Sequence, residues 1–167
     1  MKTLIKILIS VALVAGLATL TIAATTTSTV TITFSEIAEI AVSGNPSPLT
    51  ITTTTAGSLP NDQSDASTKM LWTSNVATGQ TRKVTGKIAS LFDGIDLYAT
   101  VVAANSCGST ANEQKLIETD TDFVTGIGNC ITDIPGGTIT FRAHVTQMAA
   151  PYTSTQKVVT WTLTDDA

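Results

Sequence analysis

The chain has 167 residues, with 9 Lys and Arg against 13 Asp and Glu and a formal net charge of −4 at pH 7. Nucleic-acid phosphates and anionic membrane surfaces both attract clustered Lys and Arg, so this balance predicts neither as a partner. The length suits one domain with its own hydrophobic core.

The first 24 residues have the pattern of a secretory signal peptide. Lys2 and Lys6 supply positive charge, residues 7–20 are almost wholly apolar, and small residues follow. The alternative is an uncleaved N-terminal anchor, because the apolar run approaches the roughly 20 residues of a membrane-spanning helix. We therefore predict a signal peptide over residues 1–24 and a single domain over residues 25–167. The location would be secreted, periplasmic or cell-surface, without membrane attachment after cleavage.

Alternating apolar and polar residues predict β-strands along the rest of the chain. In the first such run, Val30, Ile32 and Phe34 fall on one face and threonines on the other. Thr occupies most polar positions, and its β-branched side chain suits strands. We predict strands near residues 28–34, 37–42, 48–54, 69–74, 82–90, 95–103, 116–124, 138–147 and 156–164, with a surface loop over 55–68.

Turn-forming residues separate these runs at regular intervals. The spacing predicts an all-β protein, an antiparallel two-sheet sandwich of immunoglobulin-like architecture. A small β-barrel is the alternative. Trp72 and Trp161 stand among apolar or alternating neighbours and are expected in the core. Both cysteines follow Trp72, unlike in an immunoglobulin domain proper, so the likeness is one of architecture.

Cys107 and Cys130 are the two cysteines of the chain. An even number of cysteines in an exported protein favours a disulfide, because extracellular compartments are oxidising. Two free thiols in a reducing milieu are the alternative. Zinc is not expected, since two thiols and one distant His supply too few ligands.

The sequence predicts no catalytic residues and no cofactor. His144, the single His, falls on the outward face of a predicted strand, and no Gly-x-Ser-x-Gly elbow occurs. Glycosidases use paired carboxylates, but with 5% aromatic residues few side chains could line a sugar cleft. We therefore expect a non-enzyme.

Glu118, Asp120 and Asp122 alternate with other residues and could project from one strand face or one loop. Clustered carboxylates can bind calcium, which takes six to eight oxygen ligands, so these three are weak calcium candidates. The alternative, which we favour, is that the charges keep an exposed strand soluble and unpaired.

Three stretches resemble small exported surface proteins of microbes: residues 25–34 (TTTSTVTITF), residues 37–44 (IAEIAVSG) and the closing strand at residues 157–164 (KVVTWTLT). The length, the signal-like N-terminus and the spacing of the predicted strands are similar to those of pilin-like and spore-coat-U-like β-sandwich subunits over nearly all of the mature chain. The resemblance implies assembly by lending an N-terminal strand to a neighbouring subunit, with residues 25–34 as the donor. Since a sandwich that closes its own edge avoids aggregation, we expect this segment to pair within its own chain instead.

The leading functional expectation is an exported, non-enzymatic structural or adhesive surface protein that partners itself or other surface proteins. A monomeric secreted or periplasmic binding module, with calcium as a candidate ligand, is the alternative. A hydrolase is a third and remote alternative.

The signal peptide gives a first test. Because cleavage follows small residues, intact-mass analysis of the exported protein should show a new N-terminus within a few residues of Ala24. A membrane-bound product that retains Met1 would favour the anchor.

Overall fold

The computed structural model describes residues 25–153 and 155–166, so the signal-peptide prediction for residues 1–24 lies outside the described residues. The chain divides into two units, with the boundary between Thr33 and Phe34. In the first unit, residues 25–33 lie in no strand. All strands described below belong to the second unit. The described part of the chain contains no helix long and apolar enough to cross a membrane.

The second unit contains two antiparallel sheets, which confirms the predicted two-sheet sandwich. We name the two sheets A and B. They are separate, and each has unpaired outer edges in the described residues, so the strands do not close into one continuous sheet. The strands are β1 (Ile37–Ser43), β2 (Gln63–Asn75), β3 (Arg82–Ile88), β4 (Ile95–Val102), β5 (Ser109–Thr110), β6 (Gln114–Lys115), β7 (Thr121–Ile127), β8 (Cys130–Ile131), β9 (Gly137–Val145) and β10 (Val159–Asp165).

Sheet A has the order β1-β2-β9-β4-β6, with β8 also paired with β2, and sheet B has the order β10-β3-β7-β5. Side chains alternate between the core and the outer face, as β9 illustrates: Ile139, Phe141, Ala143 and Val145 are buried, and the residues between them are half-exposed. The core between the sheets is formed by the buried residues Met70, Trp72, Val84, Ile88, Ala99, Val101, Cys107, Leu116, Phe123, Val124, Ile127, Ile139 and Phe141.

Two predicted strands are wrong, those at 28–34 and 48–54. The second lies in a stretch that turns back on itself: the Asn61 amide donates to the Thr53 carbonyl, and the Ser58 amide to that of Thr55. The Thr54 hydroxyl adds a bond to the Ser58 carbonyl at 2.9 Å. Such local bonds from Thr compete with a ladder between strands.

Two other predictions have wrong boundaries. The second half of the predicted 55–68 loop is the start of β2, which shifts its register against β9 between Asp65 and Thr68. This bulge breaks the alternation and hides the strand from a period-two pattern. The predicted strand at 116–124 begins too early, because only residues 121–124 of it lie in a strand, β7. The remaining six predicted strands correspond to β1, the later part of β2, β3, β4, β9 and β10. The predicted strand at 69–74 lies within the long β2.

The disulfide is confirmed between Cys107 and Cys130, whose Cα atoms lie 5.8 Å apart. Cys130 belongs to β8 in sheet A, whereas Cys107 leads into β5 in sheet B. Between Cys107 and β5, Gly108 has φ +103° and passes so close to β7 that a Cβ would lie 2.7 Å from Val124 Cγ1. The bond therefore joins the two sheets across a separation of 23 residues, and closing such a loop stabilises the fold by about 3 kcal/mol.

The side chain of Arg82 joins both sheets at one end of the sandwich. Its guanidinium is buried, with 7% of the side chain exposed, and donates to the carbonyls of Ile37 at 2.6 Å and Asn75 at 3.0 Å. It also contacts Glu36 at 3.2 Å and Asp165 at 3.4 Å. One residue of β3 thereby holds the ends of β1, β2 and β10.

Replacing Arg82 should be costly. Arg82→Met keeps much of the length but leaves the carbonyls of Ile37 and Asn75 without their donor, so we expect a loss of about 3 kcal/mol in the free energy of unfolding. Lys83→Met is the matched control, because Lys83 is a surface residue paired with Asp122 and such pairs contribute about 0–1 kcal/mol. Urea unfolding measures both. Equal losses would contradict the central role of Arg82.

Candidate functional site

The N-terminal segment, residues 25–34, keeps the apolar alternation that predicted a strand but pairs with no strand of the described structure. The predicted strand is therefore absent from these residues, and pairing of the segment within its own chain is not observed. Its apolar side chains are exposed, with 79% of Val30, 84% of Ile32 and 77% of Phe34 accessible to solvent. An isolated extended segment has no partner for its backbone or for an apolar face, so alternation alone does not produce a strand.

The chain after Phe34 is held firmly at the start of β1. The Asn75 side-chain amide donates to the Ser35 carbonyl at 3.0 Å. The Glu36 carboxylate accepts from the Ala77 amide at 2.9 Å and from Arg82 at 3.2 Å. These contacts define the point from which β1 continues as the outer strand of sheet A.

The outer strands β1 and β10 lie close to each other on one side of the sandwich. Each pairs with a single neighbour, β1 with β2 and β10 with β3. Their inward-facing side chains, such as Ile40 and Trp161, are half-buried although they pack on the core. By comparison, Trp72 on the neighbouring strand β2 is fully buried, with 2% of its surface exposed. The core is thus incompletely covered along this side, which we call the β1–β10 opening.

The backbone of β1 has unpaired groups on its outer edge. Trp72 exchanges bonds with Thr132 on the far side of β2, since the Trp72 amide donates to the Thr132 hydroxyl and the Thr132 amide to the Trp72 carbonyl. Ladder bonds alternate along antiparallel strands, so Leu71 and Thr73 bond to β1. In the observed register these two face Ala41 and Glu39. The amides and carbonyls of Ala38, Ile40 and Val42 consequently point away from the sheet.

An apolar groove of about 400 Å³ lies on the outer face of sheet A, next to the start of β1. Phe34, Ile37 and Ile131 provide its apolar lining, and 68% of Ile131 is exposed. Exposed apolar side chains gathered at one place favour contact with another protein surface. The groove and the β1–β10 opening together give the region around β1 the character of an interface.

A second cluster, which is polar, lies on the outer face of sheet A around Arg142 in β9. The Arg142 guanidinium donates to both oxygens of Glu113, with 2.8 Å from Nε to Oε1, and to Asp62. It also lies 4.5 Å from the centre of the Tyr98 ring. His144 is outward, as predicted, and its Nδ1 donates to Asp62 Oδ1 at 2.8 Å.

Hydrogen bonds lower the pKa values of both carboxyl groups in this cluster. Desolvation acts to raise the pKa of Asp62, but hydrogen bonds from His144 and Arg142 outweigh it, and the pKa lies below its usual value. The hydrogen bond from Arg142 likewise lowers the pKa of Glu113 against a smaller desolvation effect. The same contacts, led by that to Glu113, raise the pKa of Arg142.

The polar cluster fastens two loops to the sheet. Asp62 ends the long connection between β1 and β2, and Glu113 lies in the connection between β5 and β6. Both carboxylates are occupied by Arg142 and His144. His144 is oriented by a carboxylate, as in hydrolases, but in the described part of the chain no Ser, Thr or Cys side chain hydrogen-bonds to it. The arrangement fits a structural role, in which the polar cluster holds the two loops against sheet A.

The three calcium candidates do not come together as a ligand set. Asp120 pairs with Lys87 at 3.5 Å and Asp122 with Lys83 at 3.2 Å, both on the outer face of sheet B. Glu118 is exposed just before β7. Within residues 25–153 and 155–166, no group of three or more His, Cys, Asp or Glu is arranged to hold a metal ion.

Sequence reasoning missed Asp62, Glu113 and Glu36. Each lies in a connection or just before a strand, where no period marks its direction, and each has a partner at least 29 positions away. The signal that was available is the outward Arg142 on β9, whose charge needs a carboxylate partner, with the polar His144 beside it on the same face.

Comparison of the chain with protein-family models, curated proteins and solved structures found no match. The residues and contacts of the chain itself therefore carry the functional argument.

The lowered pKa values predict acid sensitivity of the two fastened loops. A carboxyl group with a lowered pKa contributes stability that is present above its usual pKa and is lost as the pH falls through its folded value. The contribution should decline once the pH falls below the usual carboxyl values of about 4. Asp62 and Glu113 should release Arg142 at the still lower pH of their folded pKa values, where amide hydrogen exchange near residues 58–66 and 111–115 should accelerate.

Variants separate this effect from general acid destabilisation. Asp62→Asn and Glu113→Gln should show fast exchange in these loops already at neutral pH. Glu39→Gln is the control, because Glu39 is exposed on β1 with no ion pair in the described residues. Amide exchange that stays slow in the loops of both variants would show that the polar cluster does not stabilise these loops.

Proposed function

We propose that the protein is an exported, non-enzymatic structural subunit of a cell-surface or extracellular assembly, and that its partner is a second copy of itself. Residues 25–34 of one copy would add as a strand to the outer edge of β1 in the next copy. The observation that carries the proposal is an alternating apolar segment whose Val30, Ile32 and Phe34 are exposed.

Energetics support this mode of joining. Burying one large apolar side chain contributes roughly 1.5–3 kcal/mol, so three together match a large part of a typical stability of 5–15 kcal/mol. Strand addition would also satisfy the outward amides and carbonyls of Ala38, Ile40 and Val42. Residues 25–34 carry no charged side chain, so no ionised side chain would have to enter the β1–β10 opening.

The polar features of the molecule also favour a structural role. The inter-sheet disulfide, the buried Arg82 and the Arg142 cluster all fix elements of the sandwich to one another. Their hydrogen-bonding groups are directed at other parts of the chain. A subunit that must persist outside the cell benefits from such internal connections, because they oppose unfolding.

Charged substitution in the segment tests the proposal. Concentrated protein should form filaments visible by electron microscopy, and Ile32→Asp should abolish them, because the charge would have to enter an apolar opening. Thr31→Asp is the matched control, since Thr31 falls on the opposite, polar face and should still assemble. Circular dichroism and thermal unfolding should show both variants folded.

A synthetic peptide of residues 25–34 gives the complementary measurement. It should bind the folded Ile32→Asp protein, whose β1 edge is intact, and the same peptide carrying Asp at position 32 should not bind. Wild-type protein that remains monomeric at every concentration would contradict the proposal. It would favour the alternative, a monomeric binding module, with calcium binding then tested by calorimetry.

A further inference from the structure

The outer edge of β10 has a regular pattern of unpaired backbone groups. On its inner side, the Ala89 amide donates to the Val158 carbonyl and the Asp166 amide to the Thr81 carbonyl, both at 2.9 Å. Even-numbered residues of this strand therefore bond to β3, and by alternation the amides and carbonyls of the odd-numbered residues point outwards. Among the described residues, no strand pairs with this edge.

The edge lacks the features that usually keep outer strands from associating. From Val158 to Thr164 there is no Pro and no charged residue, and the run contains two valines and three threonines besides Trp161 and Leu163. Natural edge strands are normally protected by inward charges, Pro, bulges or short length. At seven residues, β10 is as long as β1, β3 and β7 and shows no register shift against β3.

The charges at the two ends of β10 are complementary under a two-fold axis. If two copies pair antiparallel about Trp161, Lys157 of each copy lies opposite Asp165 of the other, and Val159 lies opposite Leu163. All of these are odd-numbered residues, whose backbone groups point to the edge, so the charge match and the hydrogen-bond pattern require the same register. A two-fold axis repeats each favourable pair, as in most symmetric dimers.

The side chains at both ends are placed to accept such a neighbour. Lys157 hydrogen-bonds to the Ser90 hydroxyl at 3.0 Å and lies 5.9 Å from the centre of the Phe92 ring. Asp165 contacts Arg82 at 3.4 Å, while 88% of its side chain remains exposed. Most of the Asp165 carboxylate surface is thus accessible to a second cation.

We infer that β10 is a homodimer interface: two copies join their β10 strands antiparallel about Trp161, so that the two B sheets form one continuous eight-stranded sheet. The partner is a second copy of this chain, recognised by backbone hydrogen bonds and by two Lys157–Asp165 pairs. This contact is distinct from the proposed use of β1 and residues 25–34, and either can exist without the other.

Charge exchange tests the interface. In the Ile32→Asp background, which removes assembly through the N-terminal segment, sedimentation equilibrium at low ionic strength should show a concentration-dependent dimer. Adding Lys157→Glu or Asp165→Lys should each weaken dimerisation roughly tenfold, because two attractive pairs become repulsive. An equimolar mixture of the two variants should restore it, since each supplies the charges that the other needs.

Lys87→Glu is the matched control for net charge, because Lys87 points to the outer face of sheet B and pairs with Asp120. It should leave the dimer unchanged. A protein that is monomeric in the Ile32→Asp background, or a mixture that associates no better than its components, would overturn the inference. Filament formation by the wild type would be unaffected by that outcome, so the two proposals fail separately.

Cysteine trapping tests the same register without changing Asp165. A change at Asp165 could disturb its contact with Arg82. In the inferred register Thr160 faces Thr162 of the other copy as a non-hydrogen-bonded pair, with Cα atoms about 4.5 Å apart, within the range of a disulfide. Thr160→Cys mixed with Thr162→Cys should give a cross-linked dimer on oxidation. Each variant alone should give at least tenfold less, and equal yields would contradict the register.

Discussion

The buried guanidinium of Arg82 is the contact on which the rest of the sandwich depends. Sheet twist and the packing of apolar side chains set the approximate alignment of two stacked sheets, and polar contacts join particular residues of one sheet to particular residues of the other. Arg82 provides such a connection through two carbonyls and two carboxylates drawn from both sheets. The disulfide does the same elsewhere, between β8 and the approach to β5. The two sheets are therefore joined at two separate places around the apolar core.

The parts of the fold that the sequence predicts are those governed by period-two alternation. Strand β9 illustrates this, because its buried Ile139, Phe141 and Ala143 alternate with polar residues over its whole length. The segment 25–34 alternates equally well and still forms no strand, since alternation shows that a face needs cover without showing what covers it. The bulge near Asp65 produces the opposite error, because an extra residue breaks the pattern inside a real strand.

The candidate sites also divide into those that the sequence predicts and those that it does not. The disulfide follows from counting cysteines in a chain with a predicted signal peptide, and the outward position of His144 follows from strand alternation. The partners of Arg142 do not follow, because Asp62 and Glu113 lie 80 and 29 positions away in connections without a period. Pairing between distant loops is decided by the three-dimensional path of the chain. For this reason, the polar cluster and the open edges of β1 and β10 could be found only in the structure.

The anchoring of Glu36 also has a mechanical consequence. Tension applied to the chain at Phe34 would enter the domain at Ser35 and Glu36 and pass into β1 along its axis. To release β1, the force would have to shear seven residue pairs with β2 together, instead of opening them one at a time. The contact between Glu36 and Arg82 would share the load with sheet B at the same point. The domain would therefore resist extension at its N-terminal end, which is the end that a neighbouring subunit would pull in the proposed assembly.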